Sequence, residues 1–189
     1  MPLTTYTAGE VLTAASLNAN LSFAASSPAG GLTLISATTI GTTVTSVTVS
    51  SAFSSTYDNY LITLAGGVAS TNSSLRIVLG ATSTGYYSGG IYNIYSSAST
   101  TATNQNNTAF WNIGAGVTTS LSTNITLYSP NLAKRTLFEA SYIAALSGGD
   151  YGRSGGFLDD ATAYTAFTLS IPTGTMTGGT IYVYGFAKS

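Results

Sequence analysis

Few side chains in this sequence could carry out catalysis. The 189 residues include no His and no Cys, with only five Lys and Arg and six Asp and Glu. Glu139 with Asp159 or Asp160 could supply the acid and base of a polysaccharide-cleaving enzyme. A serine nucleophile would need Lys134 or Lys188 as its base, which is a weak substitute for His. An Asp-Asp pair more often caps a turn, so the sequence favours a protein that is not an enzyme.

A calcium site is the second chemical alternative, because Asp150, Asp159 and Asp160 are the acidic residues nearest to one another in the second half of the chain. A calcium loop needs oxygen ligands at regular short intervals. These aspartates lack that spacing, so the sequence predicts no metal and no cofactor.

Tyrosine gives the strongest local signal. Residues 86–95 read YYSGGIYNIY, with four tyrosines beside Ser, Gly and Asn. Binding loops use this combination because Tyr supplies rigid amphipathic contact area, and neutral hydroxyl-rich surfaces with aromatic rings suit sugars. The alternative places Tyr92 and Tyr95 on a half-buried sheet face or a subunit seam. The adjacent Phe110 and Trp111 are expected to be one core anchor and one interface residue. The candidates for ligand binding or subunit contact are Tyr86, Tyr87, Tyr92, Tyr95 and Trp111.

The charge and hydropathy of the chain restrict its partners. The net charge is −1 and the only basic doublet is Lys134-Arg135, whereas a nucleic-acid binder needs clustered Lys and Arg. No run approaches the ~18 apolar residues that span a bilayer. The sequence therefore predicts neither nucleic-acid binding nor membrane insertion. Surfaces with so few charges repel each other weakly, which favours self-association.

From residue 32 onward, short β-branched and aromatic runs alternate with turn residues. Such runs at intervals of roughly 10 to 15 residues, without intervening helices, predict an antiparallel β-sandwich, best matched by a jelly roll of about eight strands. The polar segment 96–108 and the glycine-rich segment 148–156 are expected to be surface loops. The predicted strands are 32–36, 43–50, 60–65, 75–79, 91–95, 109–113, 124–128, 137–145, 166–171 and 180–186.

The first 31 residues are predicted to be a separate arm, and residues 32–189 the sandwich domain. In the arm, Leu17 and Leu21 lie four residues apart on one face of a short helix, with Thr13 as its N-cap. The alternative start is a capping box of Thr7 and Glu10. A helix this short is not stable alone in water, so the arm is expected to dock on another protein.

Two segments carry a resemblance to a known group of proteins. Residues 7–18, TAGEVLTAASLN, resemble the element that opens many structural proteins of tailed bacteriophages, including fibres and minor tail proteins. Residues 164–169, YTAFTL, and 175–185, TMTGGTIYVYG, resemble the closing strands of small β-sandwich modules that terminate such appendages. The chain departs from the long fibres because it is short and has no coiled coil or extended repeat.

The resemblance implies a virion protein made in the bacterial cytoplasm. Its N-terminal element would attach to other phage proteins of the tail or capsid, and the virion-anchoring residues would be Val11, Leu12, Leu17 and Leu21. Members of this group are commonly homotrimers. The β-domain would then be a tail fibre or receptor-binding head that contacts a host-surface glycan, or alternatively a decoration protein that stabilises the capsid.

Overall fold

The computed structural model describes residues 8–9, 11, 13–18 and 31–188. The chain divides into two units, Met1–Gly31 with Ser189, and Leu32–Lys188. In the first unit, residues 14–18 form one helical turn, and the Ser16 backbone N–H donates to the Thr13 hydroxyl over 3.2 Å. The predicted N-cap is thus confirmed. Val11 and Leu17 are exposed. The other predicted positions, Thr7, Glu10, Leu12 and Leu21, lie outside the described residues.

The second unit is built of strands alone. In chain order these are β1 Leu32–Thr39, β2 Ser46–Val49, β3 Asn59–Ala65, β4 Val68–Ala69, β5 Ser73–Leu79, β6 Tyr86–Ile94, β7 Thr100–Thr108, β8 Trp111–Val117, β9 Ser120–Ser122, β10 Asn124–Tyr128, β11 Thr136–Ile143, β12 Asp150–Leu158, β13 Phe167–Ser170, β14 Met176–Thr177 and β15 Thr180–Phe186.

Two antiparallel sheets pack as a sandwich. The large sheet has the strand order β1-β15-β3-β10-β11-β12-β6-β7, and the small sheet has the order β2-β13-β5-β8-β9. A third pair, β14 with β4, is separate from both. The expected all-β, jelly-roll-like sandwich is confirmed. No helix in the described part of the chain has the length and apolar character needed to cross a membrane.

The core lies between the sheets and follows the period-2 alternation of the strands. On β5, for example, Leu75, Ile77 and Leu79 are fully buried while the residues between them are half-buried. At the centre, Trp111 stacks on Phe138 with ring centroids 4.3 Å apart. Burial of apolar surface stabilises such a core by about 25 cal/mol per Å².

Two segments predicted as loops are strands. Residues 100–108 form β7 and residues 150–158 form β12, so the expectation of loops at 96–108 and 148–156 is wrong. Neither segment has alternating apolar residues, because β7 is polar on both faces and β12 has glycines on both. Tyr86 begins β6, five residues before the predicted start. Together β12, β6 and β7 form one whole side of the large sheet.

Charge is concentrated at one end of the large sheet. This is the end where β3 and β11 begin and where β12 and β15 finish. Leu32, the first residue of β1, pairs with Phe186 at the same end. At the opposite end of the large sheet, Asp150 is the one charged residue among those that the structure describes. The residues grouped at the charged end are Asp58, Lys134, Arg135, Asp159, Asp160 and Lys188.

Candidate functional site

A groove opens between the two sheets beside Tyr142. It consists of two adjoining cavities, about 180 Å³ and 310 Å³ in volume, and Ser74, Gly114 and Tyr142 border both. Ser74 and Gly114 come from β5 and β8 of the small sheet, while Tyr142 comes from β11 of the large sheet. We call the two cavities together the inter-sheet groove.

Three neighbouring strands of the large sheet place two tyrosines in this groove. Tyr142 on β11 pairs in register with Gly152 on β12, which in turn pairs with Tyr92 on β6. A Cβ atom on residue 152 would overlap the Tyr142 ring. The absence of a side chain at Gly152 therefore lets the Tyr142 ring lie across β12.

The first cavity is lined by neutral side chains that hold one another in place. The Gln105 Oε1 atom accepts hydrogen bonds from the Ser88 hydroxyl (2.9 Å) and from the Asn112 backbone N–H (2.8 Å). Its Nε2 atom donates to the Phe110 carbonyl over 3.0 Å. The Ser154 hydroxyl donates to the Asn112 carbonyl over 3.2 Å. These contacts fix the positions of amides and hydroxyls before any ligand arrives.

Asp150 borders the second cavity and has an unsatisfied acceptor. Its Oδ1 atom is buried and has no hydrogen-bond partner. Burial raises the pKa of the Asp150 carboxyl, and a hydrogen bond from Tyr142 opposes this rise. The pKa of the Tyr142 hydroxyl is raised, first by burial and then by the nearby Asp150 charge. A ligand hydroxyl in this cavity could donate to Oδ1 and satisfy it.

The tyrosines and tryptophan singled out in the sequence fall in three different environments. Tyr92 borders the groove, and Tyr95 is exposed just after β6, where its backbone N–H donates to the Gly149 carbonyl over 2.9 Å. Tyr87 points to the opposite face of the sheet and stacks on Phe157. The structure therefore brings only Tyr92 and Tyr95 to the vicinity of the groove.

Tyr86 and Trp111 are removed from the candidate surface, because both side chains are fully buried in the core. The Tyr86 hydroxyl accepts from the Leu79 backbone N–H over 2.9 Å. The Trp111 indole N–H donates to the Tyr87 carbonyl over 3.2 Å. Neither side chain can reach a ligand or another subunit, so the expectation that they do so is wrong. The expectation that one of Phe110 and Trp111 is a core anchor is confirmed for Trp111.

The candidate catalytic carboxylates do not converge. Glu139 pairs with Gly155, which is four residues from Asp159 and therefore about 13 Å away along the strand. Among the described residues, no hydrogen bond and no shared cavity links Glu139 to either aspartate. Asp159 instead forms a salt bridge of 2.7 Å with Arg135. Asp160 accepts hydrogen bonds of 2.7 Å from the side chains of Thr162 and Tyr164.

The aspartates considered as calcium ligands are far apart, and Lys188, one of the two lysines considered as a base, has other partners. Asp150 and Asp159 stand at opposite ends of β12, about 30 Å apart along the strand. Lys188 forms a 2.9 Å salt bridge with Asp58 and donates to the Ser55 carbonyl. Within the described residues, no three acidic, His or Cys side chains are grouped so that they could hold a metal ion.

The sequence did not indicate the groove residues Tyr142, Gln105 and Asn112, and it indicated Asp150 only as a possible calcium ligand. A signal for Tyr142 was present, because it shares the alternating face of Phe138 and Ala140 in a predicted strand. Gln105 and Asp150 lay in segments predicted as loops, and no local pattern there predicts that their side chains border a groove. No protein-family model matches this chain, and no match is found among curated proteins.

Proposed function

We propose that this protein is a non-enzymatic structural component of a tailed-phage particle. It acts as a homotrimeric tail fibre or receptor-binding appendage, attached through its N-terminal segment, and its inter-sheet groove contacts the host surface. The observation that carries this proposal is the uneven distribution of charge between the two ends of the large sheet. β1 begins at the charged end, whereas the cavity beside Asp150 lies at the opposite, nearly uncharged end.

The groove suits a neutral, polyhydroxylated ligand such as a saccharide. The rings of Tyr92 and Tyr142 offer apolar faces to the C–H surfaces of a sugar. The fixed hydroxyl and amide groups around Gln105 offer donors and acceptors to its hydroxyls. Asp150 adds a buried acceptor atom, Oδ1, that has no hydrogen-bond partner. Because an unsatisfied buried polar atom costs about 1–3 kcal/mol, a hydrogen bond from a ligand hydroxyl to Oδ1 stabilises the complex.

Homotrimeric assembly is part of this proposal, because three grooves presented on one particle raise the effective affinity for the host surface through multivalency. The low charge of the chain favours such association.

Attachment is tested by deleting residues 1–30 and measuring incorporation of the protein into phage particles. We expect the deletion to abolish incorporation while the remaining sandwich folds with an unchanged circular dichroism spectrum. Normal incorporation of the deletion variant would overturn the attachment role. Copy number on the intact particle distinguishes the forms of the proposal, since a few trimers indicate a fibre and hundreds of copies indicate capsid decoration.

Host binding is tested with surface polysaccharide purified from the strain on which the phage grows. We expect Tyr142→Ala to lower affinity at least tenfold in calorimetric titration. Val68→Ala, which truncates an exposed side chain on β4 that borders neither cavity of the groove, serves as the matched control and should bind normally. Equal affinity of both variants would overturn the assignment of the groove.

A further inference from the structure

The face of the large sheet that points away from the small sheet is rich in apolar and aromatic side chains. We call it the outer face. Ile91, Ile143 and Leu137 are 53%, 50% and 48% exposed, although large apolar side chains are usually buried. No described element covers them. The other apolar members of the outer face are Leu32, Leu34, Leu61, Tyr87, Tyr128, Tyr151, Phe157, Tyr182, Tyr184 and Phe186.

The strand register aligns these side chains in rows across the sheet. Tyr128, Leu137, Phe157 and Tyr87 are successive cross-strand neighbours on β10, β11, β12 and β6. The rings of Tyr87 and Phe157 stack with centroids 5.0 Å apart and planes 13° apart. Such stacking holds the rings in place, so little side-chain entropy is lost when another surface packs on them.

A second apolar group lies toward the uncharged end of the same face. Ile143 pairs with Tyr151, and Arg153 pairs with Ile91. On the same face but toward the β1 edge of the sheet, the rings of Tyr182 and Tyr184 on β15 stack with centroids 6.3 Å apart. Apolar and aromatic contacts therefore extend over most of the width of the sheet.

The extent of the outer face matches a stable protein interface. Eight strands at ~4.8 Å spacing and six residue steps of ~3.3 Å give about 700 Å². A standard interface buries about 800 Å² on each partner. The outer face therefore has room for an interface of ordinary size.

The two central charges of the outer face are of opposite sign. Glu139 and Arg153 border a depression of about 250 Å³ together with Leu61, Thr126 and Tyr151. Both residues are exposed, and neither forms an ion pair with another described residue. The salt bridges Arg135–Asp159 and Lys188–Asp58 lie at the charged end, as the polar rim of an interface does.

We propose that the outer face is the surface through which copies of this chain associate. Glu139 of one copy pairs with Arg153 of the next, and the apolar rows pack around this pair. A second copy is the occupant that the charges select, because outer faces arranged around a three-fold axis bring the acid of each copy to the base of the next. This inference rests on the homotrimer of the proposed function.

The experiment is sedimentation velocity of the full-length chain at concentrations from 0.5 to 50 µM, roughly the range in which ordinary interfaces dissociate when weakened. We expect the wild type to be a trimer and Leu137→Glu to dissociate at least tenfold more readily. Val68→Glu is the matched control, since Val68 is 38% exposed but lies on β4, outside the outer face. The control should remain a trimer.

Charge reversal tests whether the partner is a second copy. Glu139→Arg and Arg153→Glu should each weaken association at least tenfold, and the double variant should restore it. Both positions are exposed, so the variants keep the fold, which the unfolding midpoint verifies.

The outcomes separate this inference from the proposed function. A trimer that is unaffected by Leu137→Glu and by both charge reversals overturns the outer face as the interface while the proposed function stands. A wild-type monomer at 50 µM overturns both. Single reversals that dissociate the trimer without restoration in the double variant overturn the Glu139–Arg153 pairing.

Discussion

The Tyr142 ring lies directly over Gly152, in the space that a side chain on residue 152 would occupy. The two residues are cross-strand partners on β11 and β12. This arrangement directs the Tyr142 hydroxyl toward Asp150, and the ring then forms the border between the two cavities of the inter-sheet groove. The shape of the groove therefore depends on a glycine that makes no polar contact itself.

Gly152→Ala should displace the Tyr142 ring and alter the groove. Because overpacking a well-filled site costs about 1–3 kcal/mol, we expect a corresponding loss in the free energy of unfolding, measured with urea. Gly89→Ala on the neighbouring strand β6 is the control, since a Cβ there meets nothing within 4 Å. Equal unfolding midpoints for the two variants would contradict this interpretation of Gly152.

A larger effect is expected from Gly156→Ala, because its Cβ would overlap the backbone of Tyr87 on β6, and not a movable side chain. Strand β6 would have to shift from β12, breaking hydrogen bonds of the large sheet. We expect a loss of about 3 kcal/mol or more, measured by the same urea titration. A loss smaller than that of Gly152→Ala would show that the β6–β12 pairing is looser than the structure indicates.

Asp150 should make the protein less stable as the pH rises. Burial raises its pKa in the folded state, so its favourable contribution is present below the pKa of the unfolded chain, about 3.9, and is lost as pH rises through the folded pKa. Asp150→Asn is therefore expected to be more stable than the wild type at pH 7, with the difference vanishing near pH 3. Urea unfolding at both pH values measures this. A variant that is less stable at pH 7 would contradict it.

Asp160 should act in the opposite direction. Hydrogen bonds from Thr162 and Tyr164 lower its pKa, so its contribution is present above the unfolded pKa and is lost as pH falls through the folded pKa. Because solvent screens this carboxylate, Asp160→Asn should cost less than about 1 kcal/mol at pH 7 and progressively less toward pH 3. Thr162→Val, which removes one donor to the carboxylate, should show part of the same effect. A cost for Asp160→Asn that does not change with pH would contradict the role of its charge.

The fold class was predictable where one face of a strand is apolar. Leu75, Ile77 and Leu79 alternate with more polar residues, and the strand predicted there is present. β7 and β12 were not predicted because their strand conformation depends on pairing with neighbouring strands and not on an alternating pattern of their own side chains. Gly152 and Gly156 fit under Tyr142 and against the β6 backbone, and no local pattern can encode such a requirement.

The groove was only partly predictable for a related reason. Tyr86 and Tyr92 lie six residues apart on β6 and face the same side of the large sheet. Tyr86 packs edge-on against Trp111 of β8 with centroids 5.0 Å apart, so the small sheet covers it. Tyr92 lies beyond the edge of the small sheet and is half-buried. The position at which a small sheet ends over a larger one is set by tertiary packing, which the tyrosine spacing does not contain.

The single tryptophan provides a direct test of the core. Trp111 is enclosed by Tyr86 and Phe138, and its indole N–H donates to the Tyr87 carbonyl. The wild-type fluorescence should therefore be that of a buried indole and shift to the red on unfolding. Trp111→Phe should cost about 2–4 kcal/mol, because it leaves a cavity and an unpaired carbonyl, measured by circular dichroism during urea unfolding.

Tyr86→Phe is the matched control. It removes the hydroxyl that accepts from Leu79 but no ring volume, so it should cost less, about 1–2 kcal/mol. Emission typical of a solvent-exposed indole in the folded protein would contradict the packing of the two sheets around this residue.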